Sequence, residues 1–187
     1  MPAAQKGGAL FQGDAAGLLR TAIRDDNPVC FFEHKVLYAS KGEVPDDPDF
    51  CIPFGKADIK REGTDVTIVT NLLYVSRALQ AADELAKEGI SAEVIDPRTL
   101  VPFDYDTVTE SVKKTGRLVV VHEAHQNCGW GAQVIAEVSK RAFRYLDAAP
   151  IHLGAKPCPL PFNPGLEAAV IPSVKEIVDA CKAAMYR

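Results

Sequence analysis

The chain has 187 residues, 47% apolar and 25% charged, an ordinary globular composition with enough material for a sizeable core. Its formal charge of −4 offers no basic field for nucleic acid or for an anionic membrane. Cys30, Cys51, Cys128, Cys158 and Cys181 are odd in number and form no CxxC pair, so they read as free thiols of a reducing compartment; no apolar run is long enough to span a membrane, and no signal peptide is visible.

Residues 1–13 differ in character from the rest. Leu10-Phe11-Gln12-Gly13 resembles the recognition sequence of a picornaviral-type protease, so this stretch is read as a tag remnant and excluded from the fold. Asp14 is expected to cap a short helix with Leu18, Leu19, Ala22 and Ile23 inward, stopped by Asp25-Asp26-Asn27-Pro28. Val29 to Glu33 predicts a buried strand. Residues 41–54, with Gly42, Pro45, Pro48 and Pro53, hold no sustained period and read as an ordered linker.

Beyond the linker the pattern becomes regular. Asp65 to Thr70 predicts a strand, and Val75, Ala78, Leu79, Ala82, Leu85 and Ala86 form a helical stripe closed by Gly89. Ser91 to Asp96 is a second strand. Asp104 caps the next helix, which Gly116 closes, and Arg117 to Glu123 is a third, strongly apolar strand. Gly131 to Leu146 reads as a long helix and Ile151 to Gly154 as a short strand. After a proline-rich loop, Ser173 and Glu176 form a capping box that opens the last helix. Apolar strands alternating with helices predict a three-layer αβα domain with a parallel-rich sheet.

Three local patterns bear on chemistry. The helix end at Ala22-Ile23 leaves carbonyls without intrahelical partners, and Asp25 and Asn27 can converge further oxygens there, the donor type that suits a hard cation. Its plain alternative is an ordinary turn facing water. Cys128-Gly129-Trp130-Gly131 lies between a strand and a helix like a phosphate-cradling loop, but the fingerprint is incomplete at Val134. Close approach of the helix to the sheet is the favoured reading of these glycines. His122 and His125 are three apart, not the four of a zinc helix. Glu123 and His125 instead fall at the carboxyl edge of a strand, where α/β folds place functional contacts.

Several segments, in order, resemble the beta subunits of the 2-oxo acid dehydrogenase complexes, which are related to the C-terminal part of transketolase. They are Asp14 to Tyr38, Gly42 to Pro45, Ile52 to Ala57, Glu62 to Val69, Glu93 to Thr99, Lys114 to Ala124 and Pro159 to Pro164. The Glu33-His34-Lys35 variant resembles acetoin-dehydrogenase-type members. The resemblance implies that residues 14–40 are the tail of a pyrimidine-binding domain, less stably held than the rest, and that 55–187 are a transketolase C-terminal-like domain. It implies a thiamine-diphosphate-dependent parent with magnesium held mainly by an alpha subunit, oxidising a 2-oxo acid or cleaving acetoin and passing the acyl group to lipoamide. The family's catalytic histidine and glutamate lie upstream of these segments, so the chain alone is expected to be inactive and to bind no cofactor.

The same resemblance implies a potassium site at Ala22, Ile23, Asp25 and Asn27 in the parent protein, with the ordinary turn expected in this chain alone. Glu123 and His125, from their place at the strand edge, and Trp130, beside two glycines at a loop tip, are expected at an interface. The implied partners are an alpha subunit, a second beta subunit and the lipoyl acyltransferase core, with a homodimer of this chain and a cytoplasmic location, or the mitochondrial matrix in a eukaryote. Two alternatives stand beside this reading. One is a fragment of a transketolase-type ketol transferase, against which the Asp14 to Tyr38 match argues. The other is a free-standing nucleotide-binding α/β domain.

Overall fold

The computed structural model describes residues 4–6 and 12–186. The tag-like stretch therefore lies mostly outside the described residues. Ala4–Lys6 (β1) pairs in parallel with Val29–Phe31 (β2), while Gln12 and Gly13 belong to the first helix, Gln12–Arg24 (α1).

The main sheet has five strands. They are Asp58–Arg61 (β3), Val66–Val69 (β4), Ala92–Asp96 (β5), Leu118–His125 (β6) and Ile151–Ala155 (β7), in the spatial order β3-β5-β4-β6-β7. β4, β5, β6 and β7 pair in parallel, and β3 closes one edge antiparallel to β5. Helices Leu73–Lys87 (α2), Tyr105–Thr115 (α3) and Trp130–Ala142 (α4) make the crossovers. A short helix Pro164–Ala168 (α5) and Val174–Ala184 (α6) complete the chain.

Strand alternation sorts the core into two layers. Val66, Ile68, Val94, Val119 and Val121 pack with Tyr74, Ala78, Leu85, Ile177 and Cys181 of α2 and α6. Val69, Ile95, Leu118 and Val120 pack on the other side with Val108 and Val112 of α3 and Val134 and Val138 of α4. That is the expected three-layer αβα arrangement. The caps also form as read: Asp104 accepts from Thr107 N–H, Gly116 takes the left-handed conformation (φ 71°), and Ser173 and Glu176 complete a capping box.

Four expectations need correction. Asp14 does not cap α1; it sits in the first turn, 5% exposed, because its carboxylate is claimed by Lys60 Nζ (2.5 Å) and Arg98 (2.6 Å). Of the four apolar residues assigned inward on α1, Leu18 is fully buried while Leu19 and Ile23 are exposed, since only one side of the helix meets the strip around Ile52. β2 is shorter than expected and part-exposed, because it pairs with β1 and not with the main sheet. β3 was not foreseen: Asp-Ile-Lys-Arg carries too little apolar alternation, and an edge strand does not need it.

The segment 14–40 is uneven in its contacts with the rest of the chain. α1 is tied down by ion pairs to β3 and to the turn after β5. It is also tied by hydrogen bonds from Thr21 Oγ1 to Ile52 O (2.7 Å) and from Arg20 to Phe50 O (3.3 Å). Phe32, Val36 and Tyr38, by contrast, are exposed.

Candidate functional site at the carboxyl edge of the sheet

From β4 the chain crosses to β5 on one side and then to β6 on the other, so the strand order reverses between β4 and β6. In open parallel sheets the crevice outside the carboxyl ends at such a point is where function concentrates. Three residues other than glycine hold positive φ where the parallel strands turn into their helices: Leu72 (53°) after β4, Arg98 (57°) after β5 and Cys128 (59°) after β6. Strain of this kind persists only where the surrounding structure enforces it.

All four histidines of the chain gather around the end of β6. His122 is 1% exposed; its Nδ1 lies 3.0 Å from Ala124 O and its Nε2 lies 2.7 Å from Nε2 of His152 on β7. Burial lowers His122 to about 4, with the charge of His152 acting in the same direction, and burial also lowers His152. The next residue, Glu123, points to the opposite face and meets His34 Nε2 at 2.8 Å. His125 is exposed, with Nε2 3.1 Å from Cys158 O. Trp130 is half-buried, its ring 5.1 Å from that of His122 and 6.5 Å from that of Phe103.

The glycines of the loop are explained by these rings. A Cβ at Gly129 would stand 2.5 Å from His122 Cε1, and one at Gly131 would overlap Nε2 of His152. Close approach of the α4 N-terminus to the sheet is therefore the reason for Gly-Trp-Gly.

The four residues proposed for a cation lie at the other end of α1. Ala22 and Ile23 occupy its last turn, and Asp25 Oδ1 accepts from Asn27 N–H (2.8 Å) and Nδ2 (3.0 Å). Asp25 and Asn27 also line a pocket of about 300 Å3 with Pro28, Val29, Phe54, Val101 and Pro102. The sequence reading had no means of finding the His34–Glu123 or His122–His152 contacts, whose partners are 89 and 30 residues apart. The rigid loop marked by Gly129 and Gly131 was the one local signal of crowding.

Comparison with known proteins follows the same lines. The family described as transketolase, C-terminal domain, matches residues 55–177. The subunit beta of acetoin:2,6-dichlorophenolindophenol oxidoreductase from Cupriavidus necator is 52% identical over 92% of this chain and 51% of its own length. The pyruvate dehydrogenase E1 component subunit beta of Rhizobium meliloti is 47% identical over 93% of this chain and 38% of its own length. A solved structure of a split-gene transketolase, an inactive beta4 tetramer, aligns with a TM-score of 0.76 over 98% of this chain and 58% of that one, at 26% identity. The chain thus spans about half, or less, of the length of the curated relatives it matches.

Proposed function

The chain belongs to the transketolase C-terminal domain family, and from that membership we propose that it is the C-terminal part of the beta subunit of a thiamine-diphosphate-dependent 2-oxo acid or acetoin dehydrogenase. The observation that carries this reading is the closeness of the likeness over its full reach. The alignment to the Cupriavidus necator beta subunit covers 173 residues, whereas only 133 lie from residue 55 onward (187 − 54 = 133), so at least 40 aligned residues precede the family match. A split-gene transketolase aligns over nearly the whole chain too, but at 26% identity against 52% for the beta subunit, and that difference favours a beta subunit over a ketol transferase. In this reading residues 14–40 are the tail of the pyrimidine-binding domain, 41–54 the linker and 55–187 the C-terminal domain.

The role of this part is assembly with an alpha subunit, a second beta subunit and a lipoyl acyltransferase core. Its support is apolar surface left in solvent: Phe143 is 76% exposed and Phe162 fully so, with Tyr145, Leu160 and Leu166 also exposed. Glu123 and His125 stand at the carboxyl edge as candidate contact residues. Trp130 is largely committed to its own domain through Phe103 and His122, which weakens its case as an anchor. A potassium ion at the end of α1 would use the Ala22 and Ile23 carbonyls with Asp25 and Asn27, which share a turn closed by Asn27 N–H on Asp25 Oδ1. Among the described residues no helix is long and apolar enough to cross a membrane. The compartment proposed is the cytoplasm, or the mitochondrial matrix in a eukaryote.

The residues present do not by themselves fit thiamine diphosphate and magnesium. The glycine loop before α4 is packed against the rings of His122 and His152. Among the described residues no three histidine, cysteine or carboxylate side chains are grouped to hold a metal. No catalytic step is assigned to this chain. Calorimetric titration of the chain with thiamine diphosphate and magnesium is expected to give no saturable heat, and no decarboxylation of pyruvate should follow. Micromolar cofactor affinity of the chain alone would overturn the division of labour proposed here. Saturable binding of ATP would favour the nucleotide-binding alternative.

A further inference from the structure

The imidazoles of His122 and His152 meet nitrogen to nitrogen inside the protein, and elementary hydrogen-bond logic limits what such a pair can be. The Ala124 carbonyl can only accept, so Nδ1 of His122, 3.0 Å away, must be the donor. A neutral His122 then has a bare Nε2. The 2.7 Å contact between the two Nε2 atoms needs one proton, which must come from His152. The alternative, a doubly protonated His122 donating to His152, would place a cation at a position 1% exposed.

Among the described residues no neighbouring element supplies a counter-charge for that cation. From β7 the facing titratable group is His152 itself, and β4 contributes Val69 and Thr67 to this side of the sheet. On α4, Glu137 approaches Arg141 (3.9 Å), and Arg141 also pairs with Asp106 at the start of α3 (3.0 Å) and lies over the ring of Tyr105. Asp104 is taken by the N–H groups of Ala57 and Thr107. Glu123 points to the other face, onto His34.

We infer that His122 and His152 form a neutral imidazole pair holding a single shared-edge proton, with His122 as the Nδ1–H tautomer and His152 as the Nε2–H donor, and that this pair is a proton-sensitive latch on the 126–131 loop. The loop leans on the pair directly. Gly129 and Gly131 have no room for a side chain because the two rings occupy it, and Trp130, between them, packs its ring 5.1 Å from His122. Protonating Nε2 of His122 sets two N–H groups against each other at hydrogen-bond distance. His152 can relieve that clash by moving its proton to Nδ1, but a cation then sits at a position 1% exposed, and hydrating it requires the rings to part and the loop resting on them to move. Burial and the charge of His152 hold His122 down at about 4, below the ordinary imidazole value. The stabilisation the neutral pair contributes is therefore complete above the ordinary imidazole range and is lost as pH falls towards that lower value. The latch does not depend on the function proposed above.

Both parts can be tested on the unmodified chain. Ring nitrogen-15 NMR near neutral pH should find His122 protonated on Nδ1 alone and His152 on Nε2 alone. A His122 protonated on Nε2, or either ring charged near neutrality, overturns the assignment. Trp130 is the only tryptophan in the chain, so its emission reports the loop. On acidification its emission should change together with the His122 ring signals, at a midpoint below the ordinary imidazole value, while far-ultraviolet circular dichroism stays native. An emission change that comes only with loss of the dichroism, or His122 protonation without any emission change, overturns the latch.

Discussion

Replacing Asp14 with alanine is expected to destabilise the fold by about 3–5 kcal/mol, the cost of leaving a buried charge without its partner. Lys60 and Asp14 are each only 6% exposed at the side chain, and their oxygen–nitrogen distance is 2.5 Å. Asp14 also receives Arg98 at 2.6 Å, while Asp58 bridges the same two cations. Without Asp14, Lys60 and Arg98 would lose a carboxylate whose side chain is only 6% exposed, while Asp58 would still bridge the two. Urea unfolding should show a lower midpoint, and hydrogen exchange should locate the opening at α1. The double replacement Asp14→Leu with Lys60→Met is expected to cost less than Asp14→Ala, because it removes the stranded charge together with its partner. A loss under about 1 kcal/mol for Asp14→Ala would mean that α1 is held mainly by Leu18 and by the contacts of Arg20 and Thr21 with Phe50 and Ile52.

Gly63→Ala is expected to cost about 3 kcal/mol or more, at the upper end for overpacking. A Cβ there would overlap the main chain at Ala92 and Glu93 and stand 2.7 Å from Ala92 O. Main chain cannot rotate aside as a side chain can, so the β3–β4 turn would have to lift away from β5. The exchange of β3 amides should rise with it. Stability within a few tenths of a kcal/mol of the parent would show that this edge of the sheet yields more readily than close packing allows.

These two residues mark what could and could not be read in advance. The central strands, α2, α3, α4 and α6 were legible because apolar period and cap chemistry agree locally. Asp104, Gly116 and the Ser173–Glu176 box each perform the role their residue type suggests. Asp14 misled because a carboxylate before an apolar stripe is a good cap on local grounds. Its real partners, Lys60 and Arg98, lie 46 and 84 residues away. β3 escaped because an edge strand tolerates Asp, Lys and Arg. At the candidate site, Gly129 and Gly131 signalled a close approach, but what approached them could not be known. His122 and His152 come together only because β6 and β7 pair in parallel with Val120 opposite His152. The Asp25–Asn27 turn was foreseen as a turn, and its hydrogen bonds bear that out. Its use as a cation site remains part of the proposal.

If this chain serves assembly, its mass in solution should be that of a dimer. A two-fold contact is self-complementary, so it can form without an alpha subunit. The exposed side chains to carry it are Phe143 and Tyr145 beyond α4 and Leu160 and Phe162 in the proline-rich loop. Trp130→Ala is a poor probe of that contact, because the ring also packs within its own domain. Phe162→Ser is a cleaner one, since its side chain touches solvent on all sides. Sedimentation equilibrium at micromolar concentration should give twice 20.2 kDa, with dissociation promoted by substitution in the contacting patch. A single 20.2 kDa species persisting at high micromolar concentration would contradict the account.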